Sequence, residues 1–179
     1  MKKNIMHLGI FIFVILGLTI GFQGIKKEPV IIVSGKKIYE EEYNFLKRVS
    51  TGYMEGKNEK ERVTIAKCEQ ILLKKYKIIE DISYKGFLEE LERVNQERKA
   101  TLKQGGILYG PDTFSPEVYY DYKLSEAREK LYHEILMDEV TDKEVKRYNS
   151  ETVVEEKQIR YQIALKKYTD ILNRMVDDN

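Results

Sequence analysis

The chain has 179 residues, enough for one domain with a single core. Lys and Arg number 31 and Asp and Glu 30, a formal net charge of +1, so the sequence carries none of the basic excess that marks a nucleic-acid binder. A lone cysteine, Cys68, excludes an intrachain disulfide, and two histidines, His7 and His133, leave no His pair or His-Cys set for a metal; no cofactor motif is present.

The first element is the apolar run Ile5 to Phe22, preceded by Lys2 and Lys3. A basic start followed by about 18 to 20 apolar residues fits a signal anchor or a signal peptide, and is long enough to span a bilayer. Thr19 and Gly21 form only a weak peptidase signature, and no cysteine follows the run for lipid attachment. The expected organisation is therefore 1–25 as anchor or signal peptide and 26–179 as one helical domain. Lys2, Lys3 and the terminal amine lie before the run and Lys26 and Lys27 after it, a small bias that favours that domain on the extracytoplasmic side of the cell membrane, or in the secreted fraction if the run is cleaved. His7 reads as a passenger near the membrane interface.

Val30 to Ser34 is rich in β-formers and turns at Ser34-Gly35. A helix is expected over Glu40 to Val49, then a polar loop over Ser50 to Lys57. A long helix follows over Glu59 to Ile82, with Ile65, Cys68, Leu72, Tyr76 and Ile79 on one apolar stripe. Cys68 lies on that stripe and reads as a small buried side chain. Ser83 caps the next helix, Tyr84 to about Gln104, whose second half, "NQERKATLKQ", is nearly all polar and reads as a solvated or frayed face. Gly105, Gly106, Gly110 and Pro111 make a break. Ser115-Pro116-Glu117 starts a helix to about Met137, with Tyr120, Leu124, Ala127, Leu131 and Ile135 on its stripe. Thr141 to Glu144 is a capping box opening a short helix to about Tyr148.

In Gln158 to Leu165, Ile159, Tyr161, Ile163 and Leu165 alternate strictly, the period of a half-buried strand. A final helix carries Tyr168, Ile171, Leu172, Met175 and Val176 on one face. With only two strand-like segments in the chain, Val30 to Ser34 and Gln158 to Leu165 are expected to pair, since a lone strand leaves its backbone groups unsatisfied. The expected fold is mainly α, with this small two-stranded β clasp joining the N- and C-terminal segments.

"VIIVSGKKIYEEEYNFL" resembles the start of SurA/PrsA-type extracytoplasmic foldases, which use a V-x-V-N-G-x-x-I-x-x-x-E-F pattern. Val33, Gly35, Ile38 and Glu42 fit; Ile31, Ser34 and Tyr43 replace Val, Asn and Phe. The stretch from Ser83 to Leu131 resembles the second half of the same N-terminal helical domain. "VTDKEVKRYNSE" and "KKYTDILNRMV" resemble the segments that flank a parvulin prolyl-isomerase domain in full-length members. Only nine residues separate Tyr148 from Gln158, too few for a parvulin module of about 100 residues. Parvulin sites are also built around paired histidines, and His133 is the one histidine outside the apolar run. The resemblance thus implies the chaperone-like half without isomerase catalysis: a helical body that binds unfolded or secreted polypeptides, tied to the membrane by its N-terminal segment.

Tyr109, Phe114, Tyr119, Tyr120 and Tyr122 cluster around the Gly-Pro loop. Amphipathic aromatics on a loop suit recognition of extended peptides, but the reading that comes first is that the same residues close a local hydrophobic minicore where the loop folds back. Enzyme signatures are missing. The acidic runs Glu40-Glu41-Glu42 and Glu89-Glu90 lie on helical surfaces, and "GGILYG" lacks the Lys-Ser/Thr and preceding strand of a phosphate loop. Two functional classes remain, a chaperone-like holder of many polypeptides and an anchored subunit dedicated to one partner. The oligomeric state is open.

Overall fold

The computed structural model describes residues 27–49, 56–148 and 155–179. The apolar run Ile5 to Phe22, with the expected anchor or signal peptide and His7, lies outside the described residues, as does most of the Ser50 to Lys57 loop. Among the described residues no helix is long and apolar enough to cross a membrane. They form six α-helices and one small antiparallel sheet.

The sheet is a hairpin of β1 (Ile31–Val33) and β2 (Lys36–Ile38), with Ile31 opposite Ile38 and Val33 opposite Lys36. Ser34 and Gly35 both take positive φ, 45° and 74°, the geometry of a two-residue type I′ turn. Here the structure corrects the expected clasp: β1 pairs with its neighbour, and Gln158 to Leu165 is helical. Helix α1 (Glu40–Leu46) follows the hairpin.

Helix α2 (Glu59–Lys75) opens with a full capping box, in which Glu61 N–H donates to Asn58 Oδ1 (3.0 Å) and Asn58 N–H to Glu61 Oε2 (2.8 Å). It stops short of the expected Ile82. Lys77 takes φ 59°, Ile78 N–H bonds Leu73 C=O (3.0 Å) and Lys77 N–H bonds Lys74 C=O (2.9 Å). That is a Schellman end with lysine where glycine is usual. Ile79 remains buried beyond it.

Helix α3 (Tyr84–Lys103) is capped by Ser83 as expected and stays helical through its polar half. Helix α4 (Pro116–Leu131) has the expected Ser115 cap and Pro at its start. It passes into a π-helical turn at Tyr132–Leu136, where Met137 N–H reaches Tyr132 C=O (3.0 Å). The extra residue rotates Leu136, fully buried, into the place the α-period assigns to Ile135. Helix α5 (Asp142–Tyr148) starts at the expected Thr141–Glu144 box.

Helix α6 (Glu156–Asp177) takes up the segment expected as strand. Its buried residues, Ile159, Ile163, Ala164, Tyr168 and Leu172, follow a helical period. Tyr161 and Leu165, the other half of the alternation, lie partly buried on its flank. Tyr161 packs edge-on against Tyr132 (6.2 Å) and stacks with His133 (5.2 Å). A broad apolar face thus produces both periods over eight residues, and the absence of any breaker from Glu156 to Asp177 decides for helix.

Helix α2 sits at the centre, packing against α6, α4, α1 and β1, while α6 also packs on the π turn and α5. The ends of the domain do meet, through a side chain. Asn179 Oδ1 accepts from Ser34 N–H, and its Nδ2 donates to Ser34 Oγ (3.1 Å). Cys68 is buried beneath this contact, and burial pushes its thiol up to about 11 against a smaller opposing hydrogen bond from Ser34. Two charges are buried in α2. Glu69 accepts from Arg128 Nε (2.7 Å) and from Tyr168 Oη. Lys67 donates to Glu42 (2.7 Å), Gln70 (3.0 Å) and the Ile82 carbonyl (2.8 Å).

Candidate functional site

The five aromatics singled out from sequence divide between two environments. Tyr119 and Tyr120 face inward. Tyr120 is 2% exposed, meets Phe45 edge-on at 5.4 Å and accepts from Gln70 Nε2 (3.3 Å). Tyr119 stacks on Phe87 (5.8 Å) and donates to Glu90 Oε1 (2.9 Å). Burial and the Glu90 carboxylate beside it push the Tyr119 phenol well above its ordinary range. Glu90 also pairs with Lys123; burial opposes its charged form, but the hydrogen bonds from Lys123 and Tyr119 win and hold its carboxyl below the usual range. A small half-open cavity of about 30 Å3 lies beside Phe45, Phe87, Tyr120 and Leu124.

Tyr109 and Tyr122 lie outward and Phe114 is half-buried, at the tip formed by the end of α3, the 104–115 loop and the start of α4. The chain builds this tip from α3 outward. Gly105, at φ 74°, ends the helix in a Schellman turn, with Gly106 N–H on Thr101 C=O (2.9 Å). A Cβ on Gly106 would lie 2.6 Å from the Thr101 methyl, so that glycine is required by contact. The returning loop is then pinned by two side chains from the polar half of α3. Arg98 donates to the carbonyls of Tyr109 (2.9 Å) and Pro111 (3.0 Å). Asn95 bonds the Phe114 backbone on both sides, accepting from its N–H (2.7 Å) and donating to its C=O (3.0 Å). The Arg98 guanidinium also lies 4.6 Å from the centre of the Phe114 ring, a cation–π contact. Phe114 stacks on Tyr122 at 5.9 Å with 17° between the ring planes.

This frame holds apolar side chains out in solvent. Ile107 is 85% exposed, Tyr109 92% and Tyr122 57%, with Val118 half exposed one turn before Tyr122. Asn95 and Arg98 are the residues that sequence reasoning missed. They sit in a stretch that reads as a solvated face, and their partners are loop carbonyls and an amide that leave no side-chain signature.

The tip can bind by stacking and apolar contact. Among the described residues no three His, Cys, Asp or Glu side chains gather in a way that could hold a metal ion. No protein-family model matches the chain, and neither does any curated protein or any solved structure.

Proposed function

We propose that the protein holds extended polypeptide segments on its aromatic tip, as a membrane-anchored, extracytoplasmic chaperone-like protein that carries out no catalysis. The observation that carries this reading is the outward placement of Ile107, Tyr109 and Tyr122 on a loop fixed by Arg98 and Asn95. Exposed large apolar side chains contribute nothing to the core, and a loop already ordered spares most of the entropy of fixing it on binding. Tyr offers a broad apolar face with a polar end, suited to backbone and side chain of an extended peptide together. The apolar run Ile5 to Phe22 behind Lys2 and Lys3 supports the membrane attachment.

The test is binding of fluorescent unfolded peptides to the full chain in nanodiscs. Peptides with aromatic and aliphatic residues should bind at micromolar strength regardless of exact sequence, and Tyr109→Ser with Tyr122→Ser should abolish this. Binding that survives the double substitution removes the tip from the function. The same preparation should not accelerate X-Pro isomerisation beyond its uncatalysed time constant of about tens to hundreds of seconds.

The pinned loop also favours a second reading, an anchored subunit dedicated to one folded partner, because rigid surfaces suit a defined interface. Saturable binding to one protein with no affinity for unfolded peptides would select it.

A further inference from the structure

The hairpin side of the molecule carries a second surface. A hollow of about 430 Å3 opens between the hairpin, α2 and the start of α3, lined by five lysines, Lys36, Lys37, Lys67, Lys74 and Lys85, against two carboxylates, Glu42 and Asp81. The acids are already engaged. Glu42 holds Lys67 (2.7 Å), and Asp81 accepts from the Ser83 N–H (2.8 Å) and hydroxyl (2.9 Å). Lys85 pairs in solvent with Glu89 (3.3 Å). Lys36, Lys37 and Lys74 are exposed and, among the described residues, have no carboxylate within ion-pair distance.

The hairpin beside them has an outer face of mixed character. Ile32 lies opposite Lys37 in the register, and Val30 and Tyr39 follow at the two-residue period. Ile32 is 56% exposed, Val30 47% and Tyr39 40%. Aliphatic, aromatic and lysine side chains together are the mixture that settles at a bilayer interface.

Chain length supplies the independent constraint. Nine residues lead from Phe22, the end of the apolar run, to Ile31, so the hairpin stays within about 30 Å of that point even with the link fully extended. Helix α3 begins at the hollow, and Asn95 and Arg98, which hold the aromatic tip, lie about 17 and 21 Å along it from Tyr84. A membrane at the hairpin end leaves the tip clear of it.

We propose that the hairpin and its basic hollow are a docking surface for the anionic headgroups of the membrane in which the apolar run is anchored, holding α3 so that the tip projects away. This rests on the anchored reading given above. The occupant is the lipid surface itself; three unpaired lysines near an anionic leaflet each shift the docked to undocked ratio about fivefold.

The test uses the full chain reconstituted into vesicles of phosphatidylcholine alone or with one third phosphatidylglycerol. A nitroxide is placed at Ile32→Cys or, separately, at Tyr109→Cys; the buried Cys68, with its raised thiol, stays unlabelled at neutral pH. Docking predicts that a water-soluble relaxation agent reaches the Ile32 site at least threefold less in the anionic vesicles. Lys36→Glu, Lys37→Glu and Lys74→Glu together should restore access, as should salt at about 0.5 M, where exposed charges are screened within a few ångströms. The Tyr109 site should be equally accessible in both. If the chain resists alkaline extraction from both vesicles yet the Ile32 site is equally open in both, docking is wrong and the anchor stands. A chain washed off both vesicles overturns the anchor and docking with it.

Discussion

Tyr168 and Tyr109 are the same residue in opposite circumstances. Tyr168 is 1% exposed, meets Tyr132 edge-on at 5.2 Å and donates to the buried Glu69. Tyr109 is 92% exposed and is fixed through its backbone carbonyl, by Arg98. In the body, apolar side chains are placed by one another; at the tip, polar side chains place the backbone and leave Ile107 and Tyr109 in solvent. The contrast teaches that removing a side chain from the body should cost stability, and removing Tyr109 from the tip should cost only recognition.

The largest effect is expected at Glu69. Glu69→Ala leaves Arg128 without its buried carboxylate and Tyr168 without its acceptor, at a cost of about 3–5 kcal/mol. Denaturant unfolding measures it. Glu69→Leu combined with Arg128→Leu and Tyr168→Phe should recover most of the loss, because the desolvation of both charges and the hydroxyl that Glu69 accepts from are removed together. A Glu69→Ala protein as stable as the parent would break the distinction from the body's side.

Asn95→Ala is expected to cost about 1–2 kcal/mol, since it strips two hydrogen bonds from the Phe114 backbone at a half-buried site. Amide exchange at Phe114 should speed up while exchange in α2 and α6 changes only by the global loss. That outcome would show the tip to be framed by its own hydrogen bonds. Equal acceleration everywhere would join tip and body into one unit.

Much of the body was legible in the sequence because its signals are local. Ser83, Ser115-Pro116 and Thr141 with Glu144 each mark a helix start within four residues, and the stripe from Tyr120 to Leu131 has a single period. What failed depends on distant partners. Glu69 and Lys67 read as polar positions on a helix, and only Arg128, 59 residues away, and Glu42, 25 away, explain their burial. The alternation in Gln158 to Leu165 mimics a strand because α6 buries one face and leans its flank on the π turn. Lys36 and Lys37 hide β2, although Ser34-Gly35 carries the turn chemistry of a hairpin. Of the tip, the aromatics were visible and their division between core and surface was not, since it is set by where Asn95 and Arg98 hold the loop.

A pH effect separates body from tip more finely. Hydrogen bonds from the Thr141 backbone and hydroxyl and from Lys167 hold the Glu144 carboxyl down at about 2. A carboxyl lowered on folding stabilises above its unfolded value, near 4.5, and loses that contribution as pH falls toward 2. Acid should therefore loosen the α5–α6 junction in this window, seen as faster amide exchange at Thr141 and Glu144, with the tip unaffected because its frame is built from Arg98 and an amide. An ordinary carboxylate titration for Glu144 would contradict this.

The smallest stability effect is expected where the recognition effect is largest. Tyr109→Ser should change stability by less than about 0.5 kcal/mol, which in a chain of this size moves Tm by about 1–2 °C. The most direct measurement pairs thermal unfolding with peptide binding for Tyr109→Ser/Tyr122→Ser in the full chain. The account predicts a Tm within a few degrees of the parent and at least a tenfold loss of affinity for unfolded peptides. A large fall in Tm, or unchanged affinity, would contradict it.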